Sequence, residues 1–287
     1  MVAAVMKNQL TIWAGLAAVF TLSSCLQNEI TVTVKADGSG TVVEETMLGA
    51  QMAAMMGGLG ALGGLGGPGP DGEAGALNPL DQMFSEETAK KKAATMGEGV
   101  TLDKVEKIDK DGKKGGRVTY AFKDINQLKL RMDGGADALG DAGAGMPGAE
   151  DAGAAKPESE PVRFKFAGGK LTILTPQGRE APEVPEEAEK IAGQPEMQAM
   201  AKEMFADMKM AIRVVIEPGI KKTDATHVEG DKITLMEMDF GELMKNPDGM
   251  AVLDKMERMK TEDVAAMLKD VKGVKVETKE TVSVEFK

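Results

Sequence analysis

Apolar residues take every second position from Ile30. Ile30, Val32 and Val34 alternate with Thr31, Thr33 and Lys35, Asp37-Gly38-Ser39-Gly40 interrupts, and an apolar-polar run resumes over 41–47. A spacing of two puts the apolar side chains on one face of a strand, and Asp-Gly between two such runs marks a hairpin turn. The pattern predicts further strands at 100–108 and 117–122, around a Lys-, Asp- and Gly-rich turn at 109–116, with 124–130 closing that unit. A second hairpin is predicted over 162–176, turning at Ala167-Gly168-Gly169. A strand over 211–217 follows, then a hairpin of 221–228 and 232–238 about Glu229-Gly230-Asp231. The alternation of Val274 with Val276, and of Val282 with Val284 and Phe286, gives a last strand or hairpin.

Elsewhere the period is helical. Ser85-Glu86-Glu87 opens a helix with acids in the first turn and Lys90-Lys91-Lys92 further on, as the helix dipole favours, and Met96-Gly97 ends it. After Pro195, Met197, Met200, Ala201, Met204, Phe205 and Met208 fall on one stripe. One or two shorter helices are predicted over 250–259 and 262–269. Two stretches have neither period. Residues 49–80 are rich in Gly, Ala and Met and read as a flexible loop, because glycine at that density does not hold a regular element. Residues 133–161 are Gly, Ala, Asp, Glu and Pro, and read as a disordered acidic insert.

The expected fold class is α+β: an antiparallel sheet of hairpins with helices packed on one face, interrupted by the two inserts. The chain then divides into a leader at 1–24, anchor and first hairpin at 25–48, the loop at 49–80, the rest of a first half at 81–132, the insert at 133–161, a second half at 162–246, and C-terminal helices and strand at 247–287. The halves share an element order. Thr119, Asp124 and Leu128 match Thr234, Asp239 and Leu243, with Val118 opposite Ile233, so an internal duplication is expected.

The N-terminus carries the clearest address. Lys7 precedes an apolar run over 10–22, long enough for a secretory leader and too short for a span of ~20 residues. Leu22-Ser23-Ser24-Cys25 closes it: an apolar residue, two small ones that fit a signal-peptidase cleft, and the only cysteine, whose thiol can take a diacylglyceryl group. This resembles a bacterial lipobox. The resemblance implies cleavage before Cys25 and a lipid-modified, extracytoplasmic, membrane-anchored protein. Leu26 after the cysteine, in place of an acid, points to the outer membrane in a cell that has one. An ordinary secretory leader, or an uncut anchor helix with a chance cysteine, is the alternative.

Charge narrows the partners. The 287 residues hold 35 Lys+Arg and 46 Asp+Glu, and removing 1–24 removes only Lys7, leaving about −12. Such a body does not select nucleic acid, and anionic headgroups should repel it. Cys25 has no disulfide partner within the chain. His227 is the only histidine, so a histidine-based triad or a zinc site lacks its parts. Acid pairs such as Glu44-Glu45 and Glu86-Glu87 are not placed by sequence around one bond. No cofactor and no catalytic or metal residues are assigned.

Lipobox, ITVTVKADGSGTVVEETM, a helix and VTYAFKDIN together resemble the LppM-type domain of bacterial envelope lipoproteins, over roughly 30–243. The resemblance implies an α+β domain that binds at the envelope, with lipid among the candidate ligands. The first expectation is therefore a non-catalytic envelope lipoprotein binding a lipid or a partner protein. The second is copper handling by thioethers such as Met52, Met55, Met56, Met197, Met200 and Met204, and an enzyme is third.

Overall fold

The computed structural model describes residues 26–50, 53, 79–110, 112–131, 160–176, 208–245, 267 and 271–287. Thirteen strands among them form two sheets. The large sheet is built on β1 (Leu26–Val34) and β2 (Gly40–Leu48), the expected hairpin. Its turn is held as the sequence suggests. Asp37 accepts from the backbone N–H of Ser39 (3.0 Å) and from its hydroxyl (2.7 Å), and Gly38 takes a positive φ of 83°. β2 continues to β4 (Lys113–Phe122) and β4 to the edge strand β3 (Thr101–Lys110). On its other side β1 pairs in parallel with β8 (Lys209–Ile216), which pairs with β11 (Lys232–Asp239). The short β10 (Val228–Glu229) and β12 (Val274–Val276) both border β11.

The small sheet runs β5-β6-β7-β13-β9. Its strands are β5 (Lys129–Leu130), β6 (Val162–Ala167), β7 (Lys170–Leu174), β9 (Ile220–Thr223) and β13 (Thr281–Phe286). Their inward residues, Val162, Phe164, Leu171, Ile173, Val282 and Val284, share one core with Val32, Val34, Val42, Tyr120 and Phe122 of the large sheet. Burying each such side chain stabilises the fold by roughly 1.5–3 kcal/mol. The sheets also meet at the β1–β2 turn. A Cβ on Gly38 would lie 2.6 Å from the Phe166 ring, and the Ile125 N–H donates to the Gly38 carbonyl at 3.0 Å.

The expected fold class is thereby corrected. Among the described residues the fold is mainly strand, with two sheets on one core, not a single antiparallel sheet roofed by helices. The described helices are short: α1 (Pro79–Met83), α2 (Glu86–Thr95) and α3 (Phe240–Met244). The physical reason is that β6, β7 and β13 present an apolar row of their own, which covers the inner face of the large sheet at its Val34 end. α2 has only Ala89 and Ala93 to bury. It starts where expected, with the Ser85 side chain accepting from Thr88 N–H, and packs along β3.

Further expectations change. The predicted 221–238 hairpin is split, since β9 joins the small sheet and β10 with β11 the large one. β12 and β13 also part between the sheets, so they are no hairpin. The duplication is not seen as a repeated unit: the hairpin β1–β2 lies in the large sheet and β6–β7 in the small one. What Asp124 and Asp239 share is local. Each caps a short helical turn, accepting from Asn126 N–H and Glu242 N–H respectively. Gly115 and Gly116, expected in a turn, are strand residues. A Cβ on Gly115 would sit 1.9 Å from the Thr46 carbonyl oxygen, and one on Gly116 2.4 Å from the Phe84 ring.

Candidate functional site

Leu22, Ser23, Ser24 and Cys25 lie outside the described residues. The structure gives their neighbour: β1 begins at Leu26, the residue after Cys25, and lies inside the sheet between β2 and β8. Leu26 is buried opposite Leu48, which is opposite Lys114, while Gln27 is opposite Lys209. A group on Cys25 would therefore attach directly to a central strand.

Other sequence candidates disperse. Met52, Met55, Met56, Met197, Met200 and Met204 lie outside the described residues, as do the 49–80 loop apart from 49–50, 53 and 79–80, and the stretches 195–208, 250–259 and 262–269 apart from Met208 and Met267. The His227 carbonyl accepts from Thr234 N–H at 2.9 Å. The acid pairs do not face each other across a cleft. Glu44 turns inward to Lys92 (2.8 Å) and Glu45 outward to Arg117, while Glu86 and Glu87 pair along α2 with Lys90 and Lys91. Among the described residues no three His, Cys, Asp or Glu are grouped to hold a metal ion, and no helix is long and apolar enough to cross a membrane.

Two polar clusters are built into the frame. On the outer face of the large sheet, Arg213 bridges Glu29 and Glu237 (2.9 Å), and Glu237 also receives Lys275 (2.9 Å). Burial works against the Arg213 charge, but the bonds to Glu29 and Glu237 outweigh it and raise its pKa. Burial likewise opposes the Glu237 anion, yet Lys275 and Arg213 hold its carboxyl below the usual range. The second cluster is Glu277, only 4% exposed, where the chain passes from β12 towards β13. Its carboxylate accepts from Thr226 N–H (2.6 Å), the Thr226 hydroxyl (2.8 Å) and Lys279 N–H (3.1 Å). Both clusters tie strands together.

The most distinctive surface was not singled out from sequence. It is the outward face of the small sheet. Register places Lys129 opposite Arg163, Lys165 opposite Thr172, and Ala167, Lys170, Glu285 and Lys222 in one row. All five cations are exposed, and none of their side chains makes an ion pair among the described residues. Glu285 is the only acid among these register positions, which sum to +4; Glu160, Asp224 and Glu280 lie at the edges of the sheet. The alternation Arg163-Phe164-Lys165 was a legible signal. Lys129 and Lys222 were not, because only strand order brings them beside that hairpin.

The sequence matches no family model and no curated protein. Among solved structures, the fold is similar to the folded domain of LppM from Mycobacterium tuberculosis, with 10% identity over 79% of this chain and 90% of that one, at a TM-score of 0.31. The likeness to LppM is a weak one.

Proposed function

We propose that the protein is a non-catalytic lipoprotein of a bacterial cell envelope, tethered through acyl chains on Cys25, whose two-sheet domain binds a partner at the membrane surface. The observation that carries this reading is the abutment of the lipobox on β1. Cleavage before Cys25 would leave the modified residue directly ahead of Leu26, inside the sheet. Acyl chains on Cys25 then act on the domain almost without a tether and hold it close to the headgroups. One chain gives marginal binding; two or more give stable anchoring, at about 0.8 kcal/mol per buried methylene. The order of apolar residue, two small residues and thiol is what the lipidating and cleaving enzymes of such proteins require. The dispersal of Glu44, Glu45, Glu86, Glu87 and His227 supports binding over catalysis.

Intact-mass analysis of protein extracted from membranes tests the reading. The expected species begins at Cys25 and carries diacylglyceryl and fatty-acyl mass. Trp13, the single tryptophan, lies in the segment to be removed, so the mature protein should also lack tryptophan emission. A mass retaining residues 1–24, with tryptophan fluorescence and no acyl groups, would refute the anchor. So would a Cys25→Ser form indistinguishable from the parent in cleavage and membrane attachment.

A further inference from the structure

The outward face of the small sheet has a chemistry that the chain's overall charge conceals. Cross-strand neighbours lie about 4.8 Å apart and alternate residues along a strand about 7 Å apart, so five strands spread the cations over roughly 20 Å by 14 Å. Arg163, Lys165, Lys129, Lys170 and Lys222 stand on this area, and the uncharged positions between them are Ala167, Thr172, Leu174, Thr281 and Ser283. Glu285 sits between Lys170 and Lys222, and Glu160 and Glu280 flank the sheet, just before β6 and β13. Asp224, exposed at the far edge, accepts the Ser283 N–H (2.7 Å) and adds a further negative charge there.

An extended field of separated point charges does not converge on one small anion. It also has no aromatic side chain on which a base could stack, which argues against single-stranded nucleic acid. It fits a surface that is itself extended and carries many phosphates. We propose that this face docks on an anionic phospholipid bilayer, as an electrostatic contact additional to the Cys25 anchor. The expectation that a net-negative body is repelled by such headgroups is thereby reversed for this one face. Each basic residue near an anionic leaflet favours the contact by roughly fivefold, so a few of the five suffice for salt-sensitive docking. The proposal stands on the charge of the face and does not require acylation.

The test is amine acylation of the full native protein, read residue by residue by mass spectrometry. The protein, its Cys25 modification established by intact mass, is reconstituted into vesicles of phosphatidylcholine alone or mixed with phosphatidylglycerol. Lys129, Lys165, Lys170 and Lys222 should label severalfold more slowly on the anionic vesicles at low salt, and recover at high salt. Lys104 and Lys275, on the opposite face of the large sheet, should not change. If the contact is with an opposing membrane, protection appears when phosphatidylglycerol vesicles are added to protein held in neutral ones, and this also supports the proposal. Lys165→Glu with Lys170→Glu should abolish protection at Lys129 and Lys222 while leaving the urea midpoint within error.

Equal labelling in all vesicles would overturn the proposal, as would protection by inorganic polyphosphate but not by vesicles. Slow labelling in neutral vesicles that salt relieves would mean that the chain's own acids cover the face, and would overturn it too. Loss of the anchor is read separately, from the mass alone.

Discussion

Replacing Glu277 by alanine should be among the most damaging single changes in the domain. The side chain is almost wholly buried and receives three hydrogen bonds: from Thr226 N–H, the Thr226 hydroxyl and Lys279 N–H. Its own N–H donates to the Leu235 carbonyl at 2.8 Å. The next residues carry the tie further. The Lys279 carbonyl accepts from the Thr175 hydroxyl at 2.5 Å, and Thr175 N–H donates to the Glu280 carbonyl at 3.1 Å. Glu277 thus pins the passage between the sheets to the β9–β10 connection and to the end of β7. A hydrogen bond to a charged group contributes about 1.5–3 kcal/mol, and a donor left unsatisfied costs about 1–3 kcal/mol. The bonds act on one corner and are not additive, so the expected loss for Glu277→Ala is about 3–5 kcal/mol. Glu277→Gln keeps one acceptor oxygen but turns an amide N–H towards Thr226 N–H, or loses the other pair, and should cost about 1–3 kcal/mol. Urea unfolding followed by circular dichroism measures both, with an unchanged slope showing that the two ends of the transition are the same. Glu106→Ala, on the exposed β3, serves as the control and should stay within about 0.5 kcal/mol. A Glu277→Ala protein within about 1 kcal/mol of the parent would refute the assignment of this corner as the link between sheets.

Gly115→Ala should cost about 2–3 kcal/mol or more by the same assay, because its Cβ would meet backbone at 1.9 Å. Gly112→Ala, where φ is +74° in open space, should cost only about 1–2 kcal/mol, and reversal of that order would contradict the β2–β4 register. Tyr120, the single tyrosine, has its pKa raised by burial and then by the nearby Glu44 anion. Its stabilising contribution is complete below the ordinary value near 10 and is lost as pH rises towards the folded value. Absorbance at the phenolate band should therefore appear above pH 10 only together with unfolding, and phenolate formation at pH 10 in folded protein would be the contrary result. Glu237 and Asp239 are held below their ordinary values of 4.5 and 3.8, against burial, by Lys275 with Arg213 and by Lys209. Their contribution is present above those values and fades as pH falls through the lowered ones. Glu237→Gln should flatten the acid limb of the urea midpoint against pH, and an unaltered limb would count against the Arg213 network.

What could be read from sequence was local. The Asp37 turn, the Ser85 cap, and the hairpin at Gly168-Gly169 each depend on a few adjacent residues, and each is found where its pattern lies. What failed was long-range or ambiguous. Gly115 and Gly116 look like turn residues, because glycine density usually marks one. Their use is different: they let β4 approach β2 and let the Phe84 ring come close against Gly116. The run from 220 to 238 looks like one hairpin, yet Ile220 N–H donates to the Asp231 carboxylate at 3.0 Å and β9 turns to pair with β13. The parallel pairing of β1 with β8 joins residues some 180 apart, and alternation within each strand is blind to the choice of neighbour. The single-sheet expectation failed for the same reason: a period of two says that a strand has an apolar face, and leaves open which sheet it completes.

Net charge and the charge of a single face are different quantities. A net charge is a sum over the chain, and here the sum is dominated by stretches between strands. Residues 133–161 hold seven acids and one lysine, and 177–193 hold five acids with Arg179 and Lys190, so the two contribute −6 and −3. That is −9 of the −12 left after the leader, and the strand-bearing remainder is close to neutral. Within a near-neutral body the sign of a surface is set by which strand edges meet. Strand order puts Lys129, Arg163, Lys165, Lys170 and Lys222 on one face, and hands Glu29, Glu45 and Glu237 to cations on the other. The field felt by a partner at contact range is that of the face it touches, because charges beyond about 8–10 Å are screened at physiological salt. An acidic protein can therefore present a surface that prefers phosphate. Moving one charge between faces at constant composition would change that preference while leaving the isoelectric point where it was.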